Sequence, residues 1–272
     1  MMISVAIINQ KGGVGKTTSA VNLGAGLSLL KKKILLIDLD PQAHLTYSTG
    51  IKAHELSRTL YHVFRGDASV SETIIPRPIE VNLPFLKNGK KSNTFFVLPA
   101  SLDLSGADLE FGGIAGREFL LKESLSQVND FDYVFIDCPP SLGLLTLNAL
   151  TTADEVYIPL QTEFLALQGI SKLLETIEIV RKRLNRNIKI TGIIGTRFDG
   201  RKRLNREVVE KIRDYFGKQF FNTLIRENIS LAEAPSFGKT IYEYKPDSYG
   251  SEDYFKLSVE IFERDKTKNN TA

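Results

Sequence analysis

The sequence predicts an α/β fold, a mostly parallel twisted sheet with helices on both faces, and three observations predict it. Short apolar runs rich in Ile and Val recur without polar alternation, the pattern of strands buried on both sides. Helical patterns separate these runs, as in βαβ units. A glycine cluster stands between the first run and the first helix, where parallel sheets of this kind receive their ligands.

Residues 1–9 read as the first strand and 16–30 as the first helix, with the glycines between them. The run 33–37 ends in Asp38-Leu39-Asp40-Pro41, and the run 133–136 ends likewise in Asp137-Cys138-Pro139-Pro140, so carboxylates close both strands. Further strands are expected at 94–98, 155–160, 188–194 and 220–225, with helices at 167–184 and 204–216. The stretch 76–93 holds Pro-Arg-Pro, Asn-Leu-Pro and Lys-Asn-Gly-Lys-Lys without periodicity and is expected as an exposed loop or hairpin. Residues 1–264 are expected to form one domain and 265–272 a polar, frayed tail.

The chain has 272 residues, 42% hydrophobic and 25% charged, which is ordinary for a globular protein that folds by core burial. Its single cysteine, Cys138, excludes an intramolecular disulfide and any all-cysteine metal or iron–sulfur cluster within one chain. No secretion signal and no apolar run near the roughly 18 residues of a membrane span is present, so a cytoplasmic location is expected. A formal net charge of +3 is too mild to point to nucleic acid without local clustering. The three histidines show no metal-ligand spacing.

The segment Lys11-Gly12-Gly13-Val14-Gly15-Lys16-Thr17-Thr18 carries the chemistry. Its glycines let successive backbone N–H groups close around phosphate oxygens at a helix N-terminus. Lys16 is placed to reach the β- and γ-phosphates of ATP, and the Thr17 hydroxyl to ligate the Mg²⁺ that bridges them. At about 7% per residue type, six fixed positions recur by chance roughly once in 10⁷ windows, which sets aside an accidental glycine turn. Gln10 occupies the place of the usual first glycine, and Lys11 is a second lysine.

With Asn9 and Gln10 in front, this segment resembles the deviant Walker A box of ParA-type partition ATPases, the group that includes Soj. The similarity extends to Asp38-Leu39-Asp40-Pro41-Gln42, to Phe135-Ile136-Asp137-Cys138-Pro139-Pro140-Ser141, to Leu145-Thr146-Leu147-Asn148-Ala149-Leu150 and to Leu231-Ala232-Glu233-Ala234-Pro235-Ser236-Phe237-Gly238-Lys239. The resemblance implies a P-loop NTPase fold and an ATPase that forms an ATP-dependent homodimer, with Lys11 reaching the partner's phosphates. It implies that Asp38 supports the Mg²⁺ region, that Asp40 positions or activates the attacking water, and that Asp137 holds magnesium through water. For adenine the family uses Pro-Arg-Asn; this chain has Arg226-Glu227-Asn228, which retains only the Asn in place.

Two basic hexads, Arg181-Lys182-Arg183-Leu184-Asn185-Arg186 and Arg201-Lys202-Arg203-Leu204-Asn205-Arg206, flank the expected strand 188–194. Such clusters bind phosphate backbones without reading sequence. Arg201 matches a basic position that the family uses for nonspecific DNA, whereas Glu227 and Ser230 stand where relatives carry arginine; Lys202, Arg203, Arg226 and Lys239 are the candidates to compensate. The resemblance further implies chromosome or plasmid partition on the nucleoid with a ParB-like centromere-binding partner that stimulates hydrolysis. Residues 1–9 leave no room for a helix-turn-helix ahead of the loop, so operator binding is not expected. A MinD-like membrane ATPase requires an amphipathic C-terminal anchor, and residues 260–272 are too polar for one. A P-loop small-molecule kinase or ligase shares the phosphate motifs and is separated from a partition ATPase by what stimulates hydrolysis.

Overall fold

Val5 and Ile7 face one side of the first strand and Ala6 and Ile8 the other, and all four are buried in two separate apolar clusters. That is the signature of a sheet covered on both faces. The structure, a computed structural model, describes residues 2–163 and 169–271. They contain seven strands: β1 Ile3–Ile7, β2 Ile34–Asp38, β3 Ile75–Asn82, β4 Lys90–Leu98, β5 Tyr133–Asp137, β6 Glu155–Gln161 and β7 Lys189–Thr196. Their order across the sheet is β3-β4-β2-β5-β1-β6-β7. Every neighbouring pair is parallel except β3 with β4.

The parallel register brings Ile7, Asp137 and Asp38 level with one another on β1, β5 and β2. The loops that leave these strands therefore emerge side by side at their carboxyl ends, at the point where chain order reverses around β1. This is where ligands enter such sheets.

The first helix, Lys16–Leu29, lies tightly between the sheet and the C-terminal helix Tyr249–Thr271. A Cβ built on Gly24 would lie 2.4 Å from Leu36 Cδ2, and one on Gly26 would lie 2.2 Å from Ser258 Oγ and 2.6 Å from the Tyr242 hydroxyl. Glycine at these two positions lets backbone meet neighbour. Ile241 N–H donates to Asn22 Oδ1 (2.9 Å) and the Tyr242 hydroxyl to the Asn22 carbonyl (3.0 Å), which fixes the helix lengthwise.

Of the exposed loop or hairpin expected at 76–93 the structure takes the hairpin, with all of β3 paired antiparallel to β4, and two other expectations differ from what is observed. Pro76 and Pro78 hid the strand, but β3 is the sheet's edge, where a missing N–H is tolerated. Residues 220–225 are not a strand. Phe220 and Phe221 are buried core residues, yet the N–H groups of Asn222 and Thr223 donate to the Glu260 carboxylate (2.9 Å each), leaving only isolated bridges to β7 and its following turn. The polar tail from Asp265 is helical to Thr271, because Asp265 is buried and accepts from the Tyr133 hydroxyl (2.7 Å) and Lys268 (2.8 Å), while Lys268 also reaches Glu155 (2.7 Å). The helices expected at 167–184 and 204–216 are found at Ser171–Arg183 and Arg203–Phe216; residues 167–168 of the first lie outside the described residues.

Candidate functional site

The loop after β1 takes its shape from glycine and from contacts to the far side of the sheet. Gly13 (φ +72°) and Gly15 (φ +93°) occupy left-handed backbone that side chains resist. Nothing lies within 4 Å of a Cβ built on Gly12 or Gly13, so the loop's open side is clear for a guest. Its other side is tied down: Asn9 Nδ2 donates to the Pro159 carbonyl (2.8 Å), the Thr196 hydroxyl to the Val14 carbonyl (3.0 Å), and Gln161 Nε2 to the Gly13 carbonyl (2.9 Å). Carbonyls held outward leave the N–H groups for phosphate.

Both loop lysines find internal acceptors. Lys16, nearly buried, donates to the Lys11 carbonyl (3.4 Å), and the Lys11 ammonium donates to Gln161 Oε1 (3.0 Å). Val14 is buried, and Thr18 is half-buried with its carbonyl accepting from Asn22 (2.8 Å).

The Thr17 hydroxyl donates to Asp137 Oδ2 at 2.6 Å, joining the start of the first helix to the end of β5. Asp137 is fully buried and its other oxygen, Oδ1, has no partner. Burial, and then the neighbouring Asp38 charge, push its carboxyl well above the usual carboxylate range. An orphaned carboxylate oxygen beside a threonine hydroxyl at a phosphate loop fits a hydrated divalent cation, which would satisfy the oxygen and hold it ionised. Asp38, also fully buried, is occupied differently: Oδ1 accepts the Asp40 N–H (3.1 Å), and Oδ2 accepts both the N–H (2.9 Å) and the hydroxyl (2.7 Å) of Thr46. Burial raises its pKa to about 7. It braces the segment that carries Asp40, which is half-buried and accepts the Gln42 N–H (2.9 Å).

The structure thus brings together Lys11 to Thr18, Asp38, Asp40 and Asp137. Asn228 belongs to the turn beside the end of β7, where Glu227 N–H donates to the Phe198 carbonyl (3.0 Å); its own Oδ1 accepts the Ser230 N–H (2.9 Å). Gln161, Thr46 and Thr196 went unnoticed in the sequence. Gln161 and Thr196 carried a signal, since each is the polar residue that closes an apolar strand, β6 and β7, the position that Asp38 and Asp137 hold on β2 and β5.

The basic hexads lie at opposite ends of β7, separated by a strand of eight residues, about 25 Å. They are not one surface. At the nucleotide end, Arg201 pairs with Asp199 (2.9 Å), Lys202 with Glu227 (3.4 Å) and Arg203 with Glu207 (2.7 Å), and all three cations stay exposed. The Arg201 side chain holds the Asp199 carboxyl down to about 2. Arg226 is held more firmly, by Asp253 (2.6 Å) and Glu252 (3.0 Å), and stacks 4.1 Å over the Tyr249 ring. Lys239 is exposed after the turn at Gly238.

Residues 2–190 match a family model described as an AAA domain. The chain is 43% identical over 266 residues to the chromosome partitioning protein ParA of Myxococcus xanthus, covering 97% of this chain and 89% of that protein. It is equally 43% identical, over 258 residues, to the sporulation initiation inhibitor protein Soj of Bacillus subtilis, covering 94% and 97%. The crystal structure of cobyrinic acid a,c-diamide synthase from Mycobacterium smegmatis, with bound ADP and magnesium, superposes with a TM-score of 0.82 at 33% identity over 98% of this chain and 97% of that one. Two glycines at positive φ, a threonine hydroxyl on a buried carboxylate and an ordered set of motifs agree with these likenesses. The chain belongs to the ParA/Soj family of P-loop partition ATPases.

Proposed function

We propose that this chain binds Mg-ATP in the loop Lys11 to Thr18, dimerises across that face, holds DNA nonspecifically as the dimer, and is reset by hydrolysis that a ParB-like centromere-binding partner stimulates. The observation that carries the nucleotide part is the Thr17 hydroxyl 2.6 Å from Asp137, with the second oxygen of Asp137 buried and unpaired. Thr17, through its hydroxyl, and Asp137, through water, are the residues that would hold the magnesium ion, which would supply charge neutralisation on the phosphates.

The rest of the mechanism belongs to the chain's own groups. Lys16 and the loop's N–H groups bind the phosphates; Asp40, braced by Asp38, orients the attacking water and accepts its proton. Lys11 turns from its own loop toward the partner's phosphates. Asn228 meets the adenine from the end of β7. DNA is held by Arg201, Lys202, Arg203 and Lys239, the first three exchanging their own carboxylates for phosphate, on the nucleoid in the cytoplasm.

A metabolite-linked ligase is the second reading, favoured by the name of the synthase with the similar fold. Chromatography of Asp40→Ala with ATP, ADP and no nucleotide, followed by DNA binding on each state, tests the first. A larger species with ATP alone, binding DNA and not turning over, is expected. One elution volume in all three states, or undiminished turnover, sinks the reading. Hydrolysis by the native protein that answers to a metabolite and ignores DNA plus a centromere-binding protein would establish the second.

A further inference from the structure

Gln161 ends β6 directly across from the phosphate loop and is 6% exposed. Its side-chain amide makes two contacts to that loop: Oε1 accepts from the Lys11 ammonium at 3.0 Å, and Nε2 donates to the Gly13 carbonyl at 2.9 Å. Two neighbouring bonds stiffen the same junction, Asn9 Oδ1 accepting the Lys11 N–H (3.0 Å) and Thr196 holding the Val14 carbonyl (3.0 Å). Asn9, Lys11, Val14, Leu160 and Gln161 line one small cleft. Lys11, the lysine that a generic phosphate loop lacks, is thereby folded back against its own subunit.

From this geometry we infer that Gln161 is a positioning residue: it parks Lys11 in the nucleotide-free monomer and so sets the ATP concentration at which the chain dimerises. The inference rests on the cross-subunit role proposed for Lys11. A lysine that must reach a partner's phosphates first gives up its bond to Gln161, and the fraction of molecules with Lys11 free scales the apparent affinity of the subunits. The amide's second bond joins this release to nucleotide. A phosphate that draws the Gly13 segment toward itself pulls on the side chain that holds Lys11, so filling the loop loosens the lysine.

Two substitutions separate parking from mere support. Gln161→Met keeps the length of the side chain and removes both polar contacts. Gln161→Glu keeps the acceptor for Lys11, adds a full charge to it and removes the donor to Gly13. Lys11 acylation by a water-soluble N-hydroxysuccinimide acetate, read by peptide mass spectrometry on nucleotide-free protein, reports the parked state. Sedimentation velocity across an ATP series in the Asp40→Ala background reports dimerisation.

With Gln161→Met, Lys11 acylation should rise and the ATP midpoint for dimerisation should fall, each by roughly threefold to tenfold, the net worth of one ordinary hydrogen bond. With Gln161→Glu both should move the other way. A supporting role alone would impair dimerisation in both variants. Unchanged Lys11 acylation in Gln161→Met overturns the inference, as does impaired dimerisation in both. The expected acylation changes without an ATP-dependent dimer in any of the proteins would sink the dimer reading and the threshold with it, leaving the contact itself in place. Should Gln161→Met fail to fold, Gln161→Glu decides alone: raised acylation overturns the inference.

Discussion

Asp38 and Asp137 are register partners at the ends of adjacent strands, both without solvent exposure, and they divide their work. Asp38 spends its oxygens on the chain, through Thr46 and Asp40, whereas Asp137 takes one hydroxyl from Thr17 and keeps an oxygen free. One carboxylate shapes the segment that carries Asp40, and the other faces the phosphate loop.

Because burial raises the Asp38 pKa to about 7 from an ordinary 3.8, the folded state binds a proton that the unfolded state releases. Its contribution to stability is full below the unfolded value and is lost as pH rises through about 7. The apo protein's Tm should therefore fall as pH rises from about 4 to about 7, the window the two values bound, and Asp38→Asn should flatten that fall. An equal slope in both proteins by calorimetry refutes the assignment.

Thr17→Ala removes the hydroxyl that donates to Asp137 and, with it, the proposed cation ligand. Hydrolysis should drop by about 10² or more, the usual loss when an electrostatic contact to the transition state goes. Nucleotide affinity, measured by fluorescence of a labelled ATP, should cease to respond to magnesium. Thr17→Ser should restore both.

Gly26→Ala gains about 1 kcal/mol of helix propensity in an isolated helix. Here the new Cβ meets Ser258 and the buried Tyr242 hydroxyl. Overpacking costs about 1–3 kcal/mol, so the variant should unfold at lower urea than the native chain. A higher urea midpoint would contradict the close fit of the first and C-terminal helices.

Gel shifts across a salt series sort the basic residues. Arg201→Ala/Arg203→Ala should weaken binding of any DNA and reduce the salt slope by about 2, one for each phosphate contact removed. Arg226→Ala should leave that slope alone and cost about 2 kcal/mol of stability, discounted for a guanidinium about one-third exposed, because Asp253 then lies buried without its partner. Reversed outcomes would move the DNA surface to Arg226.

Local order carried most of the reading. The apolar runs of β1, β2, β4, β5, β6 and β7 announce a buried parallel sheet, and the loop from Lys11 to Thr18 announces phosphate chemistry, because each depends on residues adjacent in the chain. Signals failed where a partner distant in sequence decided the outcome. Pro76 and Pro78 left loop and hairpin both open until the sheet's edge accepted them as strand. Phe220 and Phe221 looked like strand until Glu260 took the neighbouring N–H groups.

The sequence by itself determined the fold class, the phosphate loop and the three aspartates, since spacing along one chain suffices to place a glycine turn after a strand and a carboxylate at a strand's end. Tertiary structure alone decided that Asp137 keeps a free oxygen while Asp38 does not, that Arg226 is bound to Asp253, and that Lys11 rests on Gln161, 150 residues away. Charge and hydrogen-bond partners are assigned by distance in space, and only the packed sheet brings those residues within reach.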